Sequence, residues 1–238
     1  MSESPDPAAL AARRRPIEAR NTRWAAAVAR FLVRRGIRPD WISWASLGFS
    51  LLAALCLVAA PHAGRVTSAL LLLFAACCIQ LRLLCNLFDG MVAVEGGLAT
   101  PAGAIFNELP DRLSDAALLV CAGCLDPSCA FARELGYCAA LAAVLTAYLR
   151  ALGESAGAPS CFLGPMAKQQ RMFVLTIACL AAAVAALLDR DPPIFVAALI
   201  VILLLSIVTF VRRLRFLLRH FKSKRQENRV TAEQAPGA

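Results

Sequence analysis

The chain has 238 residues, of which 59% are hydrophobic and 17% charged, and its formal net charge is +9. A soluble domain of this size rarely runs so apolar, and here the apolar residues are gathered in blocks, which argues against a water-soluble fold and for membrane helices. Only two histidines are present, His62 and His220, so histidine-based zinc chemistry is disfavoured.

Met1–Ala9 is small, polar and proline-containing and reads as a disordered N-terminus. Residues 10–37 read as an amphipathic helix lying on the cytoplasmic leaflet. Ile17, Trp24, Val28, Phe31 and Leu32 recur at helical spacing, with Arg20, Arg23, Arg30 and Arg34 largely between them. This stretch is Arg-rich with no apolar core beside a small-residue cleavage site, so no cleavable signal peptide is expected.

An all-α integral membrane domain of six transmembrane helices is expected over residues 38–216. Pro39 and Asp40 open the first span, Trp41–Ala60, with Asp40 as its N-cap and Trp41 and Trp44 at the interface. The second runs from Thr67 to about Phe88. The third, Ala116–Leu125, extends back through Gly103–Asp115, which is polar for a membrane helix. Phe131–Leu152, Met172–Leu188 and Pro193–Val211 follow. Most approach the roughly 20 residues that cross about 30 Å of hydrocarbon. The short Glu95–Ala102 turn should make the second and third helices antiparallel neighbours. Residues 217–238 read as a basic tail, disordered from Gln226 onward.

The basic residues are concentrated before the first span, after the last, and at Lys168 and Arg171 between the fourth and fifth. The positive-inside rule then puts both termini in the cytoplasm of a multi-pass protein of the inner (plasma) membrane. Basic tails beside membrane spans point to anionic lipid head groups rather than nucleic acid. The ten cysteines lie mostly inside spans, as small hydrophobes. Cys121 and Cys124 lack the second pair a zinc site needs, and pairing of Cys124 with Cys129 stays open.

Ionisable groups inside a membrane mark function by default. Here Asn86 and Asp89 share one face near the cytoplasmic end of the second span. Asn107, Asp111 and Asp115 share one face of the third, with Glu108 and Arg112 beside them. Two oxygen-rich faces across a helix pair suit a hard cation such as Mg2+, Mn2+ or Ca2+. Gly90 and Gly103 bare the backbone where a phosphate or nucleotide could approach, and Pro110 frees the carbonyl of Phe106 beside Asp111. Arg112 either pairs with Glu108 or Asp115 or binds substrate. Arg82, deeper in the second span, either snorkels, pairs or contributes to function.

The run Asn86-Leu-Phe-Asp89-Gly90-Met-Val-Ala93-Val94, then Gly103-x3-Asn107-x3-Asp111, resembles the CDP-alcohol phosphotransferase signature Asp-x2-Asp-Gly-x2-Ala-Arg-x8-Gly-x3-Asp-x3-Asp. The spacing matches throughout. Asn86 and Asn107 replace aspartates, and Val94 replaces the arginine. Arg38-Pro39-Asp40-Trp-Ile-Ser43 looks like the family's entry to its first span, and Tyr148-Leu-Arg150-Ala151 like the end of its fourth. Lys168–Arg171 falls where the family has a basic cluster. The resemblance covers roughly residues 38 to 210.

It implies transfer of a substituted phosphate from a CDP-linked donor, in bacteria usually CDP-diacylglycerol, to a small alcohol or alcohol phosphate, with release of CMP. It also implies Mg2+ or Mn2+ as cofactor and a homodimer. Carried over by position, Asp111 is the catalytic base. Asp89, Asn86, Asn107 and Asp111 are metal ligands, joined by Asp115 or Glu108 in compensation for the lost carboxylates. Asp89, Gly90, Ala93 and Gly103 accommodate the nucleotide, and Arg150, Lys168, Arg171 and Arg112 hold the phosphate of the acceptor or lipid. Two rival readings remain beside it: a catalytically weak or non-enzymatic membrane protein binding nucleotide, lipid or cation, and a CDP-aminoalcohol:diacylglycerol phosphotransferase.

Overall fold

The computed structural model describes residues 22–97, 101–126 and 129–234; the side chains of residues 101–104, 106–107 and 227–234 also fall outside the description. The expected disordered N-terminus and the first half of the expected amphipathic helix lie outside it as well. Among the described residues there are seven α-helices and no strands: α1 (Arg23–Arg34), α2 (Pro39–Ala59), α3 (Arg65–Glu95), α4 (Pro101–Ala122), α5 (Ala132–Ser155), α6 (Lys168–Leu187) and α7 (Ile194–Gln234).

The outward surface is apolar. Leu55, Leu70, Phe74, Leu141, Phe173, Val184 and Leu204 are all exposed, and a water-soluble protein does not present so continuous a greasy surface. Five helices, α2, α3, α5, α6 and α7, are long and apolar enough to cross a membrane. α4 is as long, but Glu108, Asp111, Arg112 and Asp115 lie along it, so the sixth expected span does not stand on hydropathy. Its acids are offset by side chains from other helices, which hydropathy along one segment cannot register.

The interior is built from small residues, among them Ala53, Ala69, Ala75, Ala139, Ala143 and Ala183, packed with Leu57, Ile79, Leu118, Leu175 and Leu199. Lipid is as apolar as leucine, so helices in a membrane gain by close backbone approach rather than by leaving water. At the α4–α5 turn a methyl group added at Gly123 would lie 2.6 Å from the Ala132 carbonyl oxygen, so only glycine permits that approach.

Pro39 occupies the first turn of α2 with Arg38 as the N-cap, where proline's missing N–H goes unneeded. Asp40 therefore lies inside the helix rather than capping it, and pairs with Arg38 at 3.2 Å on the surface. α1 ends in a left-handed cap. Gly36 has φ +68°, its N–H donates to the Val33 carbonyl, and that of Ile37 donates to the Leu32 carbonyl. α1 seats Ala25 and Ala29 against Leu87 and Met91 of α3, and Trp24 meets Phe88 edge-on at 5.9 Å. α7 runs to Gln234 without a break, past the expected end of the helical domain at 216. Its basic segment holds good helix formers, with no glycine or proline before Pro236.

Helix order in space differs from expectation. α2 packs against both α3 and α4, α3 against α6, α4 against α5, and α5 against α7. α3 and α4 are not among the closely packed pairs of the described residues. They face each other across a cleft bridged by side chains, with α2 and α6 beside it. Cys124 and Cys129 both carry free thiols.

Candidate active site

One wall of the cleft begins on α2. Ser43, Ser46 and Ser50 recur at three- and four-residue spacing, so they form one stripe. Ser43 Oγ donates to Asp89 Oδ2 at 2.9 Å, and Ser46 Oγ donates to Asn86 Oδ1 at 3.0 Å. Asp89 is 2% exposed. Its Oδ1 is buried and accepts no hydrogen bond of good geometry, although the Gly90 amide lies beside the carboxylate. Asn86 Nδ2 is likewise buried without a partner. A buried, unsatisfied carboxylate oxygen is costly, and its presence in a polar cleft is a sign of function.

The opposite wall carries a buried ion-pair network. Arg82 of α3 is fully buried; its Nη2 donates to Asp115 Oδ1 at 2.5 Å and to the Asp111 carbonyl at 3.2 Å, and its Nη1 donates to Met172 Sδ at 2.8 Å. Arg171 of α6 donates from Nη2 to Asp115 Oδ2 at 2.8 Å and from Nη1 to the Met166 carbonyl at 3.1 Å. Both oxygens of Asp115 are thus held by arginines from two other helices. This joins α3, α4 and α6, and offsets the cost of burying three charges.

Asp111, one turn before Asp115, faces the cleft more openly. Its Oδ2 accepts a hydrogen bond from Lys168 Nζ of α6, and its Oδ1 lies 3.8 Å from Arg82 Nη2. Asp89 lies within electrostatic reach of Asp111 and Lys168. Ser43 of α2 holds Asp89, and Lys168 of α6 holds Asp111, with α2 and α6 both packed against α3. At the exposed rim, Glu108 accepts from Arg112 on its own helix and from Arg150 Nη2 of α5 at 2.6 Å, and Arg150 stacks over Phe162 at 5.8 Å.

The structure therefore brings together Asn86, Asp89, Gly90, Asp111, Lys168, Asp115, Arg171, Glu108, Arg112 and Arg150. Ala93 is half-buried on α3. Gly103 and the side chain of Asn107 fall outside the described residues. Asp115 and Glu108, expected as supplementary ligands, have their oxygens engaged by arginines. Arg171, expected to hold a phosphate, is 2% exposed and committed to Asp115. Ser46 was not anticipated, and Ser43 only as part of the resemblance. Their signal was the period of the serine stripe on an otherwise apolar helix. Arg82 lies one turn before Asn86, on the same face as Asn86 and Asp89.

Among the described residues, no three histidine, cysteine, aspartate or glutamate side chains converge as a metal cage. The donors that do face the cleft are oxygens, with Asp89 Oδ1 buried and unpartnered. Ser46 can donate or accept, so the Asn86 amide can turn to direct Oδ1 into the cleft without losing its partner. That set fits a hard divalent ion.

No protein-family model matches the chain, and no curated protein matches it. Solved structures do. Phosphatidylinositol phosphate synthase (PgsA1) of Mycobacterium tuberculosis with CDP-DAG bound is similar, with a TM-score of 0.66 at 21% identity over 82% of this chain and 94% of that one. The same enzyme in complex with manganese and citrate gives 0.66 at 22% identity, covering 82% and 88%. Its apo form gives 0.63 at 21%, covering 79% and 93%. At this identity the likeness shows a shared fold.

Proposed function

We propose that the chain is a CDP-alcohol phosphotransferase of phospholipid synthesis. It moves a phosphatidyl group from CDP-diacylglycerol to a small alcohol or alcohol phosphate and releases CMP. One observation carries this reading. Asp89 and Asp111, the two carboxylates kept at signature spacing, lie on separate helices within electrostatic reach of each other, Asp89 held by Ser43 of α2 and Asp111 by Lys168 of α6. They do so in a fold shared with a synthase whose structure contains CDP-DAG.

Mg2+ or Mn2+, held by Asp89 and Asp111 with Asn86 and Asn107 as neutral oxygen donors, would neutralise the diphosphate and the departing CMP. The remaining chemistry belongs to the chain. Asp111 takes the proton of the acceptor hydroxyl; the acceptor's oxygen bonds to the phosphatidyl phosphorus as the bond from that phosphorus to CMP breaks, and the proton stays on Asp111. Lys168 holds the Asp111 carboxylate in place and adds positive charge beside the phosphates. Gly90, Ala93 and Gly103 leave room for the cytidine nucleotide. Arg112 and Arg150 exchange Glu108 for a phosphate of the acceptor or lipid.

The test is CMP release by purified protein given CDP-diacylglycerol and a panel of small alcohols and alcohol phosphates. Release should stop with EDTA and return with Mn2+. A second reading, a non-enzymatic binder of nucleotide, lipid or cation, is favoured by the loss of two signature carboxylates. It would be supported by absence of CMP with every donor and acceptor, CDP-aminoalcohols with diacylglycerol included.

The same reading makes α4 a sixth span, lining a polar interior with its charges paired across the bundle. Both basic termini then share the cytoplasmic side of the inner membrane. Reporter fusions at the two ends should both read cytoplasmic, and opposite readings would overturn six spans.

A further inference from the structure

We infer that the cleft is built for a single divalent cation per chain, with the Lys168 ammonium standing against Asp111 where a second positive ion would otherwise sit. This rests on the proposed function only in taking the cleft to be a metal site, and it follows from which oxygens are free.

Four carboxylates border the cleft among the described residues. Asp115 gives one oxygen to Arg82 at 2.5 Å and the other to Arg171 at 2.8 Å. Drawing it toward a metal would strand two buried guanidinium groups, and breaking a buried pair costs more than forming it gains. Glu108 gives one oxygen to Arg112 and the other to Arg150. Asp111 gives Oδ2 to Lys168, leaving Oδ1 at 3.8 Å from Arg82. Asp89 alone keeps a fully buried oxygen with no hydrogen-bond partner of good geometry.

Asn86, like Asn107, brings no charge, so one anionic oxygen and one shared carboxylate are the negative donors left to a metal. That suits one ion. Two ions would bring four positive charges into a cleft where five basic side chains, Arg82, Arg112, Arg150, Lys168 and Arg171, already face four carboxylates. The second ion would share Asp111 with the Lys168 ammonium, and like charges at such range repel strongly in a medium less polar than water. The neutral residue at position 86 and the lysine contact belong together. With a carboxylate fewer at position 86 there is negative charge for one ion only, and the Lys168 ammonium supplies the single positive charge beside Asp111.

Mn2+ binding to the purified full-length protein tests this without reference to turnover. Titration followed by electron paramagnetic resonance should give one equivalent of bound Mn2+ per chain, with the spectrum of an isolated ion rather than a spin-coupled pair. Asp89→Asn should lose that equivalent. Lys168→Met, which removes the competing cation, should tighten Mn2+ binding by at least about tenfold. Lys168→Met with Asn107→Asp should admit a second, spin-coupled equivalent. Two equivalents in the wild type, no saturable binding, or unchanged affinity in a folded Lys168→Met protein would each overturn the inference. The wild-type count is decisive even if a variant fails to fold. CMP release with two ions bound would leave the proposed function standing and remove this inference. One ion bound without CMP release would do the reverse.

Discussion

Asp111→Asn should lower CMP release about 100- to 10,000-fold, the usual range for loss of a positioned general base. The substitution keeps the shape of the side chain and removes its capacity to take a proton, so the loss reports chemistry rather than packing. Lys168 loses a charged partner in the variant. A modest fall in thermal stability in detergent should therefore accompany the loss of rate, with an unchanged elution profile. Asp89→Asn should be as severe by a different route, because Ser43 still finds an acceptor while the anionic Oδ1 disappears. The two variants separate in Mn2+ binding, which Asp89→Asn abolishes and Asp111→Asn only weakens. Near-normal CMP release by Asp111→Asn would remove the base assignment and most of the mechanism.

Asp115→Asn should be the most destabilising single change in the cleft, by about 3–5 kcal/mol, the cost of breaking a buried ion pair from one side. Asp115 is 1% exposed and is the common partner of Arg82 and Arg171, each also buried. An amide leaves two guanidinium groups facing one another with no carboxylate between them. Because these arginines belong to α3 and α6, the three helices that shape the cleft should loosen together. Unfolding in detergent, followed by the accessibility of buried cysteines such as Cys78 and Cys179, should shift to lower temperature. The triple variant Arg82→Met, Arg171→Met, Asp115→Leu should recover much of the lost stability, since replacing a whole buried network costs less than removing its centre. An unchanged melt with loss of Mn2+ binding in Asp115→Asn would instead make Asp115 a metal ligand.

These two aspartates lie four residues apart on one helix; the signature spacing sets Asp111 apart, but nothing in the sequence says that Asp115 is held by two arginines. What the chain alone determined is what local periodicity and composition encode. Apolar blocks of membrane length, and Asn86, Asp89, Asp111 and Asp115 at helical spacing, were legible, because each depends on neighbours within a turn or two. Even the serine stripe of α2 was present in the spacing of Ser43, Ser46 and Ser50. Tertiary structure decided which charge answers which. It set α2 against both α3 and α4, and it brought Arg82 and Arg171 to Asp115, Lys168 to Asp111 and Arg150 to Glu108. It also made the polar α4 tenable in the bundle. A carboxylate's partner in a low-dielectric interior comes from whichever helix lies across from it, and sequence spacing carries no record of that distance.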